Sequence, residues 1–370
     1  MWRTTPPFRA DINGSFLRTQ AIKSARQQFA EGKITKEQLK KVEDEEIAKL
    51  VAKEEEIGLQ VVSDGEYRRS WWHFDFLEGL TGVEGYETES GIQFHGIQSR
   101  HRNIRVTGKL DFPEDHPFLD HFRYLKSITK NAIPKMTIPS PSVLHFRGGS
   151  KLIDKNVYPN LDIFFEDLGK AYRKAIHAFY KVGCRYLQLD DTVWAYLCSE
   201  EQRRLCIERG DDPQKLIVYY ANTLNYALAD KPNDMTISMH ICRGNFRSTW
   251  ISEGGYEYVA KTLFETVKID AFFLEYDSER AGGFEPLKHI KADGKQFAVL
   301  GLITSKSGKL ESADEIKARI NEASKYLPKE NLCLSTQCGF ASTEEGNVLT
   351  EEEMWEKLRF IIKVAKEIWA

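Results

Sequence analysis

Apolar, β-rich runs alternate with helical patterns along almost the whole chain, and this alternation constrains the fold more than any other feature. The runs occupy residues 8–16, 59–66, 134–140, 184–191, 234–242, 268–275, 297–304 and 331–338. The segment 160–182 places Leu161, Phe164 and Leu168 at helical spacing. Strands separated by helices over 370 residues predict an α/β fold, a (β/α)8 TIM barrel, with a doubly wound sheet as the alternative.

The alternation is interrupted at residues 67–133. This stretch contains the aromatic sequence WWHFDF, a hairpin-like run (GIQFHGIQSRHRNIRVTGKL) and a proline-containing connection. Because it is too long for an ordinary strand-to-helix loop, we expect an inserted excursion between strands two and three. We predict a single catalytic barrel over residues 1–370, with the insertion of about 67–133 lying over the barrel mouth.

Composition limits the partners of the chain. The net charge is -3 and no basic stripe is visible, which argues against nucleic acid. No run approaches the ~18 apolar residues of a membrane span, and the N-terminus lacks the apolar core of a secretory signal. The cysteines show no disulfide-framework spacing, so we expect reduced thiols, a cytoplasmic location and small-molecule substrates. The oligomeric state stays open, and a homo-oligomer is compatible with the sequence.

The ends of the predicted strands are polar, whereas the strand bodies are apolar. In (β/α)8 barrels the reacting groups lie at the carboxyl ends of several strands. In chain order, these ends carry Ser15, Glu66, Ser140, Asp190, His240 with Cys242, Glu275, Lys306 and Cys338. Polar ends on nearly every strand predict the rim of an active site.

Four of these residues form a complete set of zinc ligands. His240 and Cys242 project to the same side of one strand, while Glu275 and Cys338 end two others. Each alone also fits a structural role, such as a buried core residue or a salt-bridged carboxylate. Together, two thiols, one imidazole and one carboxylate suit tetrahedral zinc, which would hold and ionise a substrate thiol.

Three further residues suggest how a substrate is held. Glu66 and Asp190 end different strands, so two carboxylates would meet in one pocket and receive an ammonium group. Asp190 and the adjacent Asp191 also fit acid–base catalysis or capping of the next helix. Ser15 follows Gly14, which permits close approach of a ligand to the backbone, although a simple turn explains it equally well.

The motifs and their order resemble the catalytic barrel of the cobalamin-independent methionine synthases. The matching sequences are NGSF, DGE, QLDD, MHIC, FFLE and QCGF, ending at residue 340. The resemblance spans nearly the whole chain and is strongest to short, single-barrel members. It implies zinc held by His240, Cys242, Glu275 and Cys338. It also implies transfer of a methyl group from 5-methyltetrahydrofolate, carrying a polyglutamate tail, to homocysteine bound by Ser15, Glu66 and Asp190.

The resemblance also shows departures on the methyl-donor side. Full-length members of the family carry a second, N-terminal barrel that helps to bind the folate tail, and we expect none here. Ser99 and Arg100 match a folate-contacting Ser-Arg pair, whereas Arg147 and Tyr196 replace a folate-stacking Trp and a folate-binding Glu. Lys306 stands where the family has a histidine proton donor. The resemblance therefore implies a conserved acceptor side, and Lys306 as either the proton donor or a salt-bridge partner of an anionic donor tail.

Other functions remain compatible with the sequence. The same zinc site would serve an alkyltransferase that uses another thiol, such as coenzyme M, or another methyl donor to homocysteine. Glu66 and Asp190 favour an ammonium-bearing acceptor over a sulfonate. A metal-free lyase such as the uroporphyrinogen decarboxylases shares the barrel but needs no cysteine ligands. A non-catalytic protein would close the zinc with all four ligands.

Overall fold

Seven parallel strands form the centre of the molecule in a computed structural model that describes residues 1–370. All strands, in chain order, are β1 (Val61–Val62), β2 (Thr81–Glu87), β3 (Gln93–Phe94), β4 (Ile97–Gln98), β5 (Arg102–Asp111), β6 (Ile133–Pro139), β7 (Tyr186–Asp191), β8 (Thr236–Ile241), β9 (Ala271–Glu275), β10 (Phe297–Ile303) and β11 (Leu332–Thr336). The central sheet has the order β1-β6-β7-β8-β9-β10-β11, and every neighbouring pair is parallel. Seven of the predicted strands are therefore confirmed, with their ends shifted by a few residues.

The eighth position of the sheet is filled by the N-terminal segment. The backbone N–H of Asp11 donates to the carbonyl of Leu334 in β11 at 3.0 Å. On the other side, the N–H of Phe16 donates to the carbonyl of Gly65, just after β1, at 3.1 Å. This segment closes the sheet between its first and last strands, which confirms the predicted (β/α)8 barrel over the doubly wound alternative.

The prediction that residues 8–16 form a regular strand was wrong. It forms only one isolated bridge to β11, at Ala10. Two local features explain the difference. Asp11 accepts hydrogen bonds from the backbone N–H groups of Phe8 and Ile12 at 2.9 and 2.8 Å, which bends the chain. Gly14 has φ +115°, outside the β region.

Helices surround the sheet and follow the predicted alternation. They are α1 (Gln20–Ala30), α2 (Lys36–Glu56), α3 (Phe74–Leu77), α4 (Pro117–Ile128), α5 (Pro141–Phe146), α6 (Leu161–Lys181), α7 (Val193–Cys198), α8 (Glu200–Arg209), α9 (Pro213–Leu228), α10 (Glu257–Thr266), α11 (Ala313–Ala323) and α12 (Glu351–Trp369). Four short 3-10 turns lie at Ser150–Leu152, Glu279–Ala281, Glu285–His289 and Lys329–Asn331. No helix combines the length and the hydropathy that crossing a bilayer requires.

Local sequence explains where the principal helices begin. The Asn160 side chain accepts a hydrogen bond from the N–H of Ile163 and starts α6, which buries Phe164 and Leu168 as the helical spacing predicts. Thr350 and Glu353 form a reciprocal capping box at the start of α12. Between the N-terminal segment and β1, the chain forms two helices, α1 and α2.

The segment 67–133 adds elements outside the barrel sheet. Strands β2 and β5 pair antiparallel, β3 and β4 form a short hairpin, and α3 and α4 flank them. The N–H of His95 donates to the carbonyl of Trp250, which lies beyond β8, at 3.0 Å. The Trp71 ring stacks on Phe246 with a centroid distance of 5.8 Å. This segment therefore contacts the loop that follows β8.

Candidate active site

Four side chains from three strand ends converge inside the barrel mouth. His240 lies in β8 and Cys242 just after it, Glu275 ends β9, and Cys338 follows β11. Their ligand atoms all lie within 4.8 Å of one another, and all four residues are buried. The structure therefore brings together the four residues that the sequence suggested as a metal-binding set.

The chemistry of this cluster fits a metal ion. Both ring nitrogens of His240 and the Oε2 atom of Glu275 are buried without a hydrogen-bond partner, which is costly unless another group binds them. The Sγ atoms of Cys242 and Cys338 are 3.5 Å apart. Two sulfurs bound to one tetrahedral zinc would be about 3.8 Å apart, from Zn–S bonds of about 2.3 Å. The four residues thus have the ligand types and spacing of a metal site.

Burial and mutual contact shift the pKa values of the cluster. Burial raises the pKa of Glu275 to about 7. The hydrogen bond with Cys242 lowers the pKa of Cys338 well below its usual value and raises that of Cys242. Burial lowers the pKa of His240, but contact with Cys338 raises it more, so the net shift is upward. The groups of this cluster therefore compete for protons, and one bound cation would neutralise their negative charge.

The backbone orients Glu275 toward the other three ligands. Its Oε1 atom accepts a hydrogen bond from the N–H of Arg243 at 2.9 Å. Its own N–H donates to the hydroxyl of Tyr256 at 3.0 Å. Since Oε1 is held in this way, the unpartnered Oε2 is the oxygen left for a metal.

Two buried carboxylates face the same cleft as the cluster. This first cleft has an open volume of about 520 Å³, and its walls include Ser15, Glu66, Asp190, His240, Cys242 and Cys338. Burial, and then the nearby charge of Glu66, raise the pKa of Asp190 to about 7. Burial likewise raises the pKa of Glu66. Two carboxylates that repel each other in a buried site are suited to a bound cation.

Neighbouring side chains fix both carboxylates. Glu66 has φ +59°, which is rare for a residue other than glycine. It accepts a hydrogen bond from the Thr137 hydroxyl at 2.8 Å and lies 3.5 Å from an Arg69 nitrogen. Asp190 accepts from the Gln188 side-chain amide at 2.7 Å. Both are therefore held in place by the barrel before any ligand arrives.

Ser15 is held against the loop that carries Cys338. Its hydroxyl accepts a hydrogen bond from the N–H of Ala341 at 3.3 Å. A Cβ atom on Gly339 would lie 1.9 Å from that hydroxyl. Glycine at position 339 is thus required by the close approach of the NGSF and QCGF segments, which places Ser15 in the wall of the first cleft.

Asp191, adjacent to Asp190, serves the structure instead. Its Oδ1 atom accepts hydrogen bonds from the N–H groups of Val193 and Trp194 at 2.5 and 3.1 Å. These donors belong to the first turn of α7, so Asp191 stabilises the helix start. Of the pair, only Asp190 has a carboxylate available to a ligand.

Three other predicted residues lie outside the first cleft. The Lys306 amine donates to the Asn245 side-chain carbonyl at 3.1 Å, and Asn245 is the residue that lines the cleft. The Ser99 hydroxyl accepts from the N–H of Ile92 at 2.8 Å. Arg100 pairs with Glu344 on the loop after β11. Both Ser99 and Arg100 therefore make contacts within the protein.

Arg147 and Tyr196 do line the first cleft. The guanidinium carbon of Arg147 lies 5.9 Å from the centroid of the Tyr196 ring. The Tyr196 hydroxyl is buried without a hydrogen-bond partner. Burial raises its pKa. The structure thus places these two residues at the cleft, unlike Ser99 and Arg100.

The sequence did not identify an aromatic wall of the first cleft. Trp71, Trp72 and Phe94 line it together with Asn245. The aromatic pair in WWHFDF was the only available signal, and nothing local indicated that it would face the metal ligands. These rings come from the segment 67–133, so this segment forms part of the cleft.

Comparison with known proteins identifies relatives over the full barrel. A family model described as "Cobalamin-independent synthase, Catalytic domain" matches residues 9–367. The Bacillus subtilis protein YxjG, which is described as uncharacterised, is 53% identical over 99% of this chain and 96% of its own length.

Two further comparisons concern a solved structure and an enzyme. A Listeria monocytogenes structure, provisionally named a vitamin-B12-independent methionine synthase, is 44% identical with a TM-score of 0.78 and covers 98% of each chain. A Thermotoga maritima protein named 5-methyltetrahydropteroyltriglutamate–homocysteine methyltransferase is 23% identical. That alignment covers 98% of this chain and 45% of the Thermotoga protein.

Proposed function

Because the chain belongs to the cobalamin-independent methionine synthase family and is an enzyme of that family, we propose that it methylates homocysteine to give methionine, with zinc as its metal. The proposed donor is 5-methyltetrahydrofolate carrying a polyglutamate tail. The observation that carries this proposal is the shared cleft: the cluster of His240, Cys242 and Cys338 opens into the same space as Glu66 and Asp190.

Each part of the first cleft matches one part of homocysteine. Glu66 and Asp190 would receive its ammonium group. Its positive charge would attract both carboxylates and offset the repulsion between them. The Ser15 hydroxyl would contact its carboxylate. Zinc bound by His240, Cys242, Glu275 and Cys338 would lower the pKa of the substrate thiol and hold the sulfur in position.

The protein's contribution to the transfer is positioning. The homocysteine thiolate forms a new bond to the methyl carbon as the donor's bond to that carbon breaks, and the nitrogen left behind takes up a proton. The rigid supports of Glu66 and Asp190 would fix the amino-acid end of the acceptor, which aligns its sulfur with the incoming methyl group. The aromatic wall of Trp71 and Trp72 would exclude water from this space.

On the donor side, we assign Arg147 and Tyr196 to contact with the methyl donor, since both line the first cleft. Ser99 and Arg100 lie at the edge of the segment 67–133, which we propose covers the barrel mouth. From that edge they would contact the methyl donor. Lys306 is our candidate for the proton source. Its hydrogen bond to Asn245 places the amine one residue behind the cleft surface.

The proposed reaction fits a reducing compartment. All six cysteines are free and buried, and two of them belong to the candidate metal site. Thiolate ligands must stay reduced to bind a metal. We therefore propose that the enzyme acts in the cytoplasm.

Donor screening combined with metal analysis tests the proposal. The purified protein is assayed for methionine formation from homocysteine with methyl-folate carrying one or three glutamates, methylcobalamin and S-methylmethionine. Zinc is measured in the wild type and in Cys338→Ser. We expect about one zinc per wild-type chain, a large loss in the variant, and methionine from methyl-folate. Full zinc occupancy in Cys338→Ser would reject the ligand assignment.

A related reaction would keep the metal but use coenzyme M as the thiol. That acceptor carries a sulfonate where homocysteine carries an ammonium group. Glu66 and Asp190 would repel the sulfonate. In a competition assay with both thiols, alkylation of homocysteine alone is expected, and preferential alkylation of coenzyme M would replace our acceptor assignment.

A further inference from the structure

Arg243 is a buried cation that has no part in the proposed transfer. It follows Cys242 directly in the chain and is 1% exposed. All three of its guanidinium nitrogens are buried without a hydrogen-bond partner. A buried guanidinium in this state is costly unless negative charge lies near it. Its burial therefore indicates a compensating charge in the surrounding structure.

Arg243 lies beside the candidate metal ligand Glu275. Its backbone N–H donates to the Oε1 atom of Glu275 at 2.9 Å. Its guanidinium carbon lies over the ring of Tyr256, 4.6 Å from the centroid, and the Tyr256 hydroxyl accepts from the N–H of Glu275 at 3.0 Å. Burial lowers the pKa of Arg243, but nearby groups, with Tyr256 and Glu275 among them, raise it more, so the net shift is upward. The charge of Arg243 is therefore within electrostatic reach of this ligand.

The candidate metal site would supply the compensating negative charge. When a metal is bound, Cys242 and Cys338 are thiolates and Glu275 is a carboxylate. These three negative charges exceed the two positive charges of Zn²⁺ by one, because neutral His240 adds none. A homocysteine thiolate on the metal would raise the excess to two, whereas the thioether of methionine would leave it at one. A positive charge close to the ligands therefore stabilises the bound substrate more than the bound product.

The structural contacts of Arg243 do not depend on its charge. Its backbone carbonyl accepts from the N–H groups of Ile251 and Ser252 at 3.0 and 3.1 Å, and these bonds fix the loop after β8. Because they involve only backbone atoms, they survive a change of side chain. An unbranched apolar side chain would also keep much of the packing on Tyr256. The positive charge is therefore the property of Arg243 that these contacts leave unexplained.

We propose that Arg243 is a positioning residue whose charge makes the metal site bind the thiolate of homocysteine in preference to the thioether of methionine. This inference rests on the proposed function, because it requires the homocysteine sulfur to bind the metal. Arg243 does not line the first cleft, so it acts through Glu275 and through the electrostatic field at the metal. Preference for the charged sulfur also favours release of the neutral product after methyl transfer.

Calorimetric titration of the zinc-loaded protein with homocysteine and with methionine tests this role. Arg243→Met and Arg243→Gln remove the charge and leave an apolar or a polar end, whereas Arg243→Lys keeps the charge. Arg203→Met is the matched control, because the Arg203 guanidinium also lies over a tyrosine ring, that of Tyr258, at 4.2 Å but does not line the first cleft. Thermal melting and zinc analysis verify that each variant folds and holds its metal, and either uncharged variant suffices for the test.

The uncharged variants should bind homocysteine about tenfold more weakly than the wild type, the order expected for the loss of one opposite charge inside a protein. Their affinity for methionine should change less than about twofold. Zinc occupancy should stay full, since removal of a positive charge does not weaken the binding of a cation. Arg243→Lys should recover most of the homocysteine affinity, and Arg203→Met should match the wild type for both ligands.

An equal loss of affinity for homocysteine and methionine in the uncharged variants would overturn this role, because a structural defect weakens both ligands alike. A loss in Arg243→Lys as large as in Arg243→Met would also overturn it. The wild type separates this inference from the proposed function. If the wild type binds homocysteine with release of a proton but the variants fail these expectations, only the role of Arg243 is wrong. If homocysteine does not bind the wild type, the proposed function itself fails.

Discussion

The two sides of the first cleft are built in different ways. The side proposed for homocysteine comes from barrel strand ends, where Glu66 and Asp190 are buried and fixed by hydrogen bonds. The side proposed for the donor comes from Arg147, Tyr196 and the segment 67–133, where buried arginine and tyrosine atoms lack partners. The rigid side fixes one substrate in advance, whereas the other leaves unsatisfied groups for a ligand to complete.

The largest effect is expected when both carboxylates of the acceptor side are removed. In the double variant Glu66→Gln with Asp190→Asn, kcat/KM for homocysteine should fall on the order of a thousandfold, because two contacts with the ammonium charge are lost. The free energy of unfolding should stay the same or rise, since two buried, mutually repelling carboxylates are removed.

Steady-state kinetics and chemical denaturation measure these two quantities separately. A donor KM that changes as much as the homocysteine KM would show that the two sides are not independent. A strong loss of stability would mean that the carboxylates hold the barrel together and do not await a ligand.

The variant Lys306→Gln tests whether the donor side includes a group that lies behind the cleft surface. If its amine supplies the proton to the leaving nitrogen, kcat in Lys306→Gln should fall about a hundredfold, the lower end of typical acid catalysis. Both KM values and the zinc content should stay near those of the wild type. An unchanged kcat in pre-steady-state methyl transfer would assign the proton to another group.

A buried carboxyl group behind the acceptor side predicts a pH dependence of stability. Glu54 accepts a hydrogen bond from the N–H of Ser63, whose hydroxyl in turn donates to the carbonyl of Gly14, next to Ser15. Burial raises the pKa of Glu54 well above 4.5. The folded state therefore holds this proton more tightly than the unfolded state.

The stability from Glu54 is fully present below pH 4.5, its unfolded pKa, and is lost as the pH rises through the folded pKa. Glu54→Gln keeps the shape and an acceptor oxygen but has no proton to lose. Its free energy of unfolding should exceed that of the wild type increasingly toward alkaline pH. Denaturation curves at several pH values measure this, and a constant difference would contradict the buried, protonated state.

The smallest effect is expected at the outer edge of the donor side. Arg100 is 47% exposed and pairs with Glu344 and Glu345. Arg100→Ala should change the free energy of unfolding by less than about 1 kcal/mol, as for other exposed ion pairs. Thermal unfolding measures this. A larger loss would show that the segment 67–133 depends on this contact for its position.

The difference between the two sides also explains what the sequence could predict. Strand ends such as Glu275 and Asp190 follow apolar runs, and barrel geometry then brings them together from distant positions. Trp71 and Phe94 follow no such rule, because their placement depends on tertiary packing of the segment 67–133. Lys306 ends a predicted strand, yet Asn245 lies between its amine and the cleft.

Ser15 shows a third case, in which the functional position was predicted but the local structure was not. The segment 8–16 has the composition of a strand, but Asp11 and Gly14 bend it. Its place in the barrel is fixed by hydrogen bonds with β11 and Gly65, which are contacts between residues far apart in the chain. The β-propensity of the segment does not predict such contacts.

The most direct test of the central claim is optical titration of cobalt-substituted protein with homocysteine. The account predicts that the thiolate-to-cobalt absorption increases to saturation, with one proton released, and that Glu66→Gln with Asp190→Asn requires a much higher homocysteine concentration. A spectrum that does not change at saturating homocysteine would mean that the four residues enclose the metal completely, and the methyltransferase mechanism proposed here would be wrong.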